Sequence, residues 1–555
     1  MMKRNSSVKS AAFSTPVKIS VALILAALVI LPIIRMFAGV RLSDFQTVFA
    51  SPLFEEALKN SVVLSLLATA ISVLLAYALA LCTVRASVPG KRIFSVLLTL
   101  PMLIPSISHG IGLTTLFGNN GIFTQLFGTP SIYGSVGIVA GSVMYAFPVA
   151  YIMLSDVLTY EDMSVYEAAN VLGIGKVRQF LRLSLPYLRR PLIATAFSTF
   201  SLIVTDYGVP VLIGGQTYTL SSLMYTEIAA ATGGSFGKST VYALFLLIPA
   251  IVAFVTDALN KEKGATAFVK RSAAGKTSKL VRGIALAVCL VVSCVAILPI
   301  LSFAVQAFVV AYPRDMTPTL AQVEYMMRQR GLEYLANSLV IALATALLGT
   351  VLSYVTAYLT ARMRSPLSRL IHLLALTFMA IPGLVLGLSY AMTFKETLIY
   401  GTVAIMIMAN VAHFLSSPYL MMYNSFGKMN QNLEAVGETL GIGRLRMVKD
   451  VFIPQSISTI LEMFAYLFVN AMMTISAVSF LATTTTRPVS LMISQFKDSV
   501  GGMELAAVVS LMILVTNLAL KGILGLIRMA VITRKKHSMK HRKDTRQNES
   551  FEKAI

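Results

Sequence analysis

The sequence predicts an all-α polytopic membrane protein with about twelve transmembrane helices, arranged as two six-helix domains in tandem. Three observations support this class: 56% of the residues are hydrophobic, only 13% are charged, and apolar runs of about twenty residues recur along the chain. Helices are favoured because a helix satisfies its own backbone hydrogen bonds inside lipid. The predicted spans are 19–39, 60–84, 94–118, 134–158, 190–213, 239–259, 283–311, 335–361, 369–393, 399–423, 457–481 and 504–527.

The net charge of +22 raises the question of a nucleic-acid partner, so the placement of the basic residues matters. When the chain is threaded through twelve spans, most of its 46 Lys and Arg residues fall in loops on one side. Such loops face the cytoplasm, which predicts that both termini are cytoplasmic. Basic clusters then lie against the lipid bilayer, and no nucleic-acid partner is expected.

Cysteine and histidine spacing indicates neither a disulfide framework nor a metal site. Cys82, Cys289 and Cys294 all fall inside predicted spans, and zinc-type Cys/His spacing is absent from the sequence. The apolar run from Ile19 is too long for a secretion signal and lacks a small-residue cleavage site, so it is interpreted as the first span.

The two halves of the chain repeat each other. Asn60 and Pro105 correspond to Asn337 and Pro382, an offset of 277, and past the third span of each half the offset falls to 267 or 268. A longer loop near 119–132 in the first half accounts for the change. Chance similarity among apolar helices is the alternative, but matched Asn and Pro positions favour a repeat. The halves are parallel because six spans return the chain to the same side.

This repeat divides the chain into five segments. The linker is polar, basic and rich in small residues, which predicts flexibility, and the tail is charged enough to be expected to be disordered. The segments are an N-terminus 1–18, a first domain 19–259, a basic linker 260–282, a second domain 283–530 and a basic tail 531–555.

One polar pattern occurs in a loop of each half, at 161–186 and at 430–454. In both loops a short helix, a glycine stop and a proline restart follow one another, and the proline comes thirteen positions after the glycine. Ser164 and Glu167 are predicted to form a capping box in the first loop. The residues of the pattern are Glu167, Ala168, Ala169, Gly173 and Pro186 in the first loop, and Glu434, Ala435, Gly441 and Pro454 in the second.

These loops resemble the cytoplasmic loop of permease subunits of binding-protein-dependent ABC importers. The first copy fits the family pattern throughout, from Glu167-Ala168-Ala169 to Leu185-Pro186. The second departs from it, since Ala435 stands at the glutamate position, Glu434 comes one residue early, and the final pair is Ile453-Pro454. The second loop is therefore expected to bind its partner protein differently from the first loop.

The resemblance implies a fused permease of the bacterial cytoplasmic membrane, built from two type I permease domains. It implies that the loops are coupling helices, which dock into grooves on two separate ABC ATPase subunits. It also implies an extracytoplasmic substrate-binding protein as partner. ATP would bind to the partner subunits, and no cofactor or metal is expected on this chain.

The sequence holds no phosphate-binding loop of its own. Gly237-Lys238-Ser239 and Gly275-Lys276-Thr277 imitate the end of that motif, but Thr232 and Lys270 stand where its first glycine is required. No catalytic residues are predicted either, so the chain is not expected to be an enzyme.

Polar residues inside the spans are candidates for a substrate pathway, because such groups are costly in lipid. Gly208 and Pro210 should interrupt the fifth span beside Asp206 and Tyr207. A hydrogen bond from Asp206 to a neighbouring helix is an alternative. The second-half stretch that contains Thr474 and Ser476 corresponds to this break. Asn470 and His413 are further pathway candidates, although a lone intramembrane histidine is more often a packed hydrogen-bonding group.

The substrate follows only from resemblance. Asp206-Tyr207-Gly208-Val209-Pro210 looks like fused permeases of the ferric-iron and phosphonate groups, and 466–478 is most similar to permeases for 2-aminoethylphosphonate uptake. The prediction is 2-aminoethylphosphonate or a related phosphonate, with ferric iron as the alternative. A secondary transporter is a different class with similar architecture, and it would need no ATPase partner.

Overall fold

The computed structural model describes residues 2–230, 236–260, 278–496 and 501–552, and these residues are mainly helical. In the first half the α-helices are Met2–Ala38, Leu42–Phe49, Pro52–Ala80, Lys91–Thr99, Ser106–Phe117, Ile122–Phe127, Ser135–Thr159, Ser164–Val171, Lys176–Gln179, Leu185–Val204, Gly208–Ile213, Leu220–Ala230 and Gly237–Asn260. In the second half they are Lys279–Ala307, Ala321–Arg328, Gly331–Ala361, Pro366–Thr377, Gly383–Phe394, Val403–Phe414, Ser416–Gly427, Leu433–Thr439, Arg444–Met447, Ile453–Met473, Ser490–Phe496 and Gly502–Glu552.

Shorter elements complete the chain. The strands Val309–Ala311 and Asp315–Pro318 form an antiparallel hairpin, which is the one departure from all-α structure among the described residues. The 3₁₀ turns are Leu100–Leu103 and Phe378–Ala380, and the π-helical turns are Leu81–Arg85, Phe180–Ser184 and Val448–Phe452.

Each of the twelve predicted spans overlaps at least one helix, and the all-α membrane class is confirmed. Seven helices are long and apolar enough to cross a membrane, and three bent helix pairs raise the number to ten among the described residues. The remaining two predicted spans lie on Leu185–Val204 and Gly237–Asn260. The first of these helices carries Arg189 and Arg190 near its start, which lowers its apolar character.

A sharp bend at the same place in each half confirms the repeat. Helix pairs bend by 102° after Leu103 and by 105° after Ala380. Pro105 and Pro382 follow the two breaks, and a proline disfavours helical backbone in the residue before it. Ile104 and Ile381 accordingly adopt extended backbone, with ψ of 151° and 116°.

The first helix of each half packs against the opposite half, so the two repeats share a core. Met2–Ala38 lies on the bent pair of the second half, where the Tyr390 hydroxyl donates to the Leu28 carbonyl at 2.8 Å. Lys279–Ala307 packs in the same way on Ser106–Phe117 of the first half. Buried residues of both halves form one continuous cluster.

Proline does not restart the chain after the two loops, and this expectation is wrong. Each helix begins earlier, at Lys176 and at Arg444, and passes through a π-helical turn before Pro186 and Pro454. At the end of the first π turn, the Leu185 N–H donates to the Phe180 carbonyl five residues back. The wider turn accommodates a proline, which lacks an N–H and crowds the carbonyl four residues before it.

The linker and the tail are only partly described. Residues 261–277 of the linker lie outside the described residues, and the next helix begins at Lys279 with Ser278 as its N-cap. The last helix continues to Glu552, so the expectation that the tail is disordered is wrong as far as that residue.

Candidate functional site: two loops and the seam between the halves

Each loop carries one short helix, which we call loop helix A (Ser164–Val171) and loop helix B (Leu433–Thr439). Both end in a Schellman motif, in which a glycine in left-handed conformation closes the last turn. Gly173 and Gly441 have φ of 67° and 68°. After loop helix A, Ile174 N–H donates to the Ala169 carbonyl at 3.0 Å, and the second loop repeats this bond at 2.8 Å. The predicted glycine stops are confirmed.

The start of loop helix A differs from the predicted capping box. Met163 occupies the N-cap position, and the side chain that caps the turn is Asp162, which accepts a 2.9 Å hydrogen bond from the Ser164 N–H. This hydrogen bond holds the pKa of Asp162 below its usual value. Glu167 takes no part in the cap, because its side chain points to solvent.

Apolar side chains project from the same positions of both loops. Leu172 is 75% exposed and its counterpart Leu440 is 67% exposed, while Val177 and its counterpart Leu445 are exposed to similar degrees. Exposed apolar groups rimmed by polar residues are typical of surfaces that contact a protein or a membrane. The exposed pattern residues include Glu167, Ala168 and Ala435, whereas Ala169 is buried beneath loop helix A.

The two glutamates of the pattern occupy different environments. Among the described residues, Glu167 has no hydrogen-bond or ion-pair partner and is exposed. Glu434 instead accepts two hydrogen bonds from the Arg362 guanidinium, one of them at 2.6 Å, and its side chain is only 21% exposed. Glu434 is therefore not equivalent to Glu167 as a free surface carboxylate.

The fifth span is interrupted at the predicted place. Leu185–Val204 ends before Asp206, and a new short helix begins at Gly208. The Asp206 carboxylate accepts a 3.1 Å hydrogen bond from the Val209 N–H inside that helix, and the Ser221 hydroxyl donates to the Asp206 carbonyl at 2.7 Å. The carboxylate thus has a local structural role, which is closer to the alternative interpretation than to a free ligand.

A small polar cavity lies beside this break. Its volume of about 10 Å³ is room for roughly one water molecule. The polar side chains that line it are Ser61, Ser65, Ser142, Asp206, Thr219 and Ser221.

The corresponding break in the second half is uncharged. Ile453–Met473 ends before Thr474, whose hydroxyl donates to the Asn470 carbonyl at 2.6 Å, and the Ser490 hydroxyl donates to the Thr474 carbonyl at 2.9 Å. The Asn470 side chain donates to the carbonyl one turn earlier. Ser476 and His413 meet beside Gly383, where a Cβ would overlap the serine hydroxyl. The structure brings these two predicted residues together.

Hydrogen bonds join the two halves along a seam that the sequence analysis missed. The hydroxyls of Tyr207 and Ser479 lie 3.1 Å apart, and those of Ser108 and Ser510 lie 2.8 Å apart. Asn517 donates to the Leu103 carbonyl at 2.9 Å. Of these residues only Tyr207 was a predicted site residue, because serine in an apolar span carries no signal of its partner. The side chains of this seam are all neutral.

No metal centre is formed by the residues that the structure describes. Within those ranges, no group of three or more His, Cys, Asp or Glu side chains comes close enough to hold an ion.

Comparison with known proteins adds a family match and several relatives. A model of the binding-protein-dependent transport system inner membrane component matches residues 68–261 and again 349–532, together more than half of the chain. The two matches coincide with the two halves of the repeat.

Among curated proteins, the chain is similar to the ferric transport system permease protein FbpB of Actinobacillus pleuropneumoniae. Identity is 23% over 450 residues, which cover 78% of this chain and 65% of that protein, just under two thirds of its length. It is also similar to the Fe(3+)-transport system permease protein FbpB 2 of Haemophilus influenzae, with 24% identity over 455 residues, 79% of this chain and 84% of the relative.

A shorter relative matches a smaller part of the chain. The molybdenum transport system permease protein ModB of Escherichia coli is 25% identical over 186 residues, which are 32% of this chain and 81% of ModB.

Proposed function

This chain belongs to the family of binding-protein-dependent transport system inner membrane components, and on that premise we propose that it supplies both membrane domains of an ABC importer. The family is one of multi-pass membrane permeases rather than enzymes. In this proposal the chain forms the substrate pathway, a substrate-binding protein delivers the cargo outside, and two ATPase subunits provide the energy inside.

The observation that carries the proposal is the pair of loop helices. They occupy equivalent positions in two halves, end in the same Schellman motif and expose Leu172 and Leu440 at the same point. A symmetric pair of ATPase subunits needs two such surfaces on one face. Because the loops on this side of the membrane together hold most of the Lys and Arg residues, the same face is assigned to the cytoplasm, with both termini.

We propose ferric iron as the cargo, in preference to the phosphonate that the sequence patterns indicated. Support comes from the names of the relatives that match most of the chain, which are ferric permeases.

The experiment that tests the proposal is reconstitution. The chain is purified from its native membrane with the ATPase that accompanies it and placed in proteoliposomes with the cognate binding protein. Uptake of radiolabelled ferric iron should require ATP and should exceed uptake of labelled 2-aminoethylphosphonate. Uptake without an ATPase, driven by an ion gradient, would instead identify a secondary transporter. ATP-dependent uptake of phosphonate alone would support the proposed importer but show that its cargo is a phosphonate and not ferric iron.

A further inference from the structure

One buried arginine anchors each loop to a distant helix of its own half. Arg85 ends helix Pro52–Arg85, and Arg362 follows Gly331–Ala361 at the equivalent position, an offset of 277 from Arg85. Their side chains are 23% and 5% exposed. Both guanidiniums contact the loop of their own half. The second membrane-spanning helix of each half, Pro52–Arg85 or Gly331–Ala361, is therefore bonded to a loop that the backbone joins only to later helices.

In the first half, four side chains form the tie. Arg85 donates to the Glu161 carboxylate, at 3.2 Å from Nε, and to the Tyr166 hydroxyl at 3.1 Å. The guanidinium also lies 4.8 Å from the centre of the Tyr166 ring. The Tyr166 hydroxyl bonds to Glu161 and lies 2.9 Å from the Ser184 hydroxyl in the π turn. Burial and the bond to Glu161 raise the pKa of Tyr166.

In the second half, the same four positions contribute to the tie with different chemistry, and Arg362 also donates to the carbonyls of Asn430 at 2.8 Å and Phe426 at 3.4 Å. Arg362 pairs with Glu434, at 2.6 Å from Nε, and donates to the Met429 carbonyl at 3.3 Å. Its guanidinium lies 5.3 Å from the centre of the Phe452 ring. With the offset of 268, Met429 corresponds to Glu161, Glu434 to Tyr166 and Phe452 to Ser184.

Carboxylate and aromatic ring therefore come from different positions in the two halves. The carboxylate comes from Glu161, which precedes loop helix A, in the first half and from Glu434, within loop helix B, in the second. The ring against the guanidinium comes from the loop helix in the first half and from the π turn in the second. A buried arginine needs one carboxylate, and each half supplies it from a different position. This shift of the carboxylate accounts for the early glutamate of the second loop pattern.

We propose that Arg85 and Arg362 are positioning residues of the importer, which make the second helix of each half move with its loop helix. The inference rests on the proposed coupling role of the loops. A loop pushed by an ATPase would otherwise act only on the two helices to which the backbone joins it. Through the arginine it also acts on Pro52–Arg85 or Gly331–Ala361, the helices with extensive contacts to the fourth and fifth spans of their half.

The test relocates the carboxylate. Glu434→Tyr removes the charge partner of Arg362, and the ratio of iron transported to ATP hydrolysed should fall by roughly tenfold. A factor of ten corresponds to about 1.4 kcal/mol, and leaving a buried guanidinium without its carboxylate costs at least that much free energy. The triple variant Met429→Glu/Glu434→Tyr/Phe452→Ser rebuilds the first-half arrangement in the second half, and it should restore the ratio.

A matched control is available at the other end of the helix that precedes Arg362, outside both loops. Glu333 pairs with Arg330 at 2.6 Å, but both side chains are well exposed, so Glu333→Gln should leave the ratio unchanged. If Glu434→Tyr yields no folded protein, Glu161→Gln tests the same point in the first half with a smaller change, and its ratio should fall.

The inference is overturned if Glu434→Tyr or Glu161→Gln hydrolyses ATP and transports in the wild-type ratio, or if a folded triple variant stays uncoupled. An equal effect of Glu333→Gln would also overturn it, because the loss of any ion pair would then suffice. A wild-type complex that shows no ATP-dependent uptake is a different failure, which overturns the proposed function itself.

Discussion

The backbone N–H of Leu220 donates a 2.7 Å hydrogen bond to the hydroxyl of Ser61, where both residues are buried. Ser338 accepts the equivalent bond from the Val489 N–H, also at 2.7 Å. In each half a serine of the second helix therefore holds the segment that follows the break in the fifth span.

Replacing either serine should destabilise the protein. Ser61→Ala or Ser338→Ala leaves a buried N–H without an acceptor, and we expect the free energy of unfolding in detergent to fall by about 1–3 kcal/mol for each. Ser65→Ala, on the same helix and also buried, is the control because Ser65 makes no such bond to the backbone. Equal stability of the Ser61 and Ser65 variants would contradict the prediction.

The glycine stops of the loops can be tested without altering any contact. A Cβ at Gly173 or Gly441 would meet no atom within 4 Å, so an alanine there suffers only from its left-handed backbone. That conformation costs roughly 1–2 kcal/mol, and the affinity of the chain for its ATPase should fall about tenfold, as measured by titration.

Gly175 and Gly443 provide the control for this experiment. They lie two residues further on, also in open space, but have φ of −60° and −64°. Gly175→Ala and Gly443→Ala should leave affinity unchanged. A loss of affinity as large as that of the Gly173 variant would show that position in the loop, rather than backbone conformation, is what matters.

The exposed leucines should carry much of the contact with the ATPase. Leu172→Asp or Leu440→Asp removes the burial of one leucine, about 1.5–3 kcal/mol, and introduces an unpaired charge, so binding should weaken by at least about tenfold. Leu398, which is 98% exposed outside the two loops, offers the control variant Leu398→Asp. If that control weakens binding equally, the loops are not the docking surface.

Asp206 has a structural role that can be separated from a role in transport. Asp206→Ala loses the bond from the Val209 N–H and should cost about 1 kcal/mol, whereas Asp206→Asn keeps an acceptor and most of the stability. If the negative charge serves the cargo, Asp206→Asn should still lower ferric uptake in proteoliposomes. Unchanged uptake would assign Asp206 to structure alone.

Local chemistry explains what could be predicted from the sequence by itself. Span length and composition determined the membrane class, Pro105 and Pro382 the two bends, and Gly173 and Gly441 the ends of the loop helices. Each of these features acts on its own stretch of backbone. Apolar spans favour burial in lipid, proline lacks an N–H, and glycine permits a positive φ. The internal repeat follows for the same reason, since equal local signals recur at a constant offset.

Tertiary structure alone decided which side chains meet. Arg85 and Glu161 are 76 residues apart in sequence, Arg362 and Glu434 are 72 apart, and nothing near either arginine identifies its partner. The glutamate that looked displaced in the second loop is the one that neutralises Arg362. A buried charge requires whichever carboxylate the fold brings within hydrogen-bonding distance, and two halves with the same backbone met that requirement from different positions.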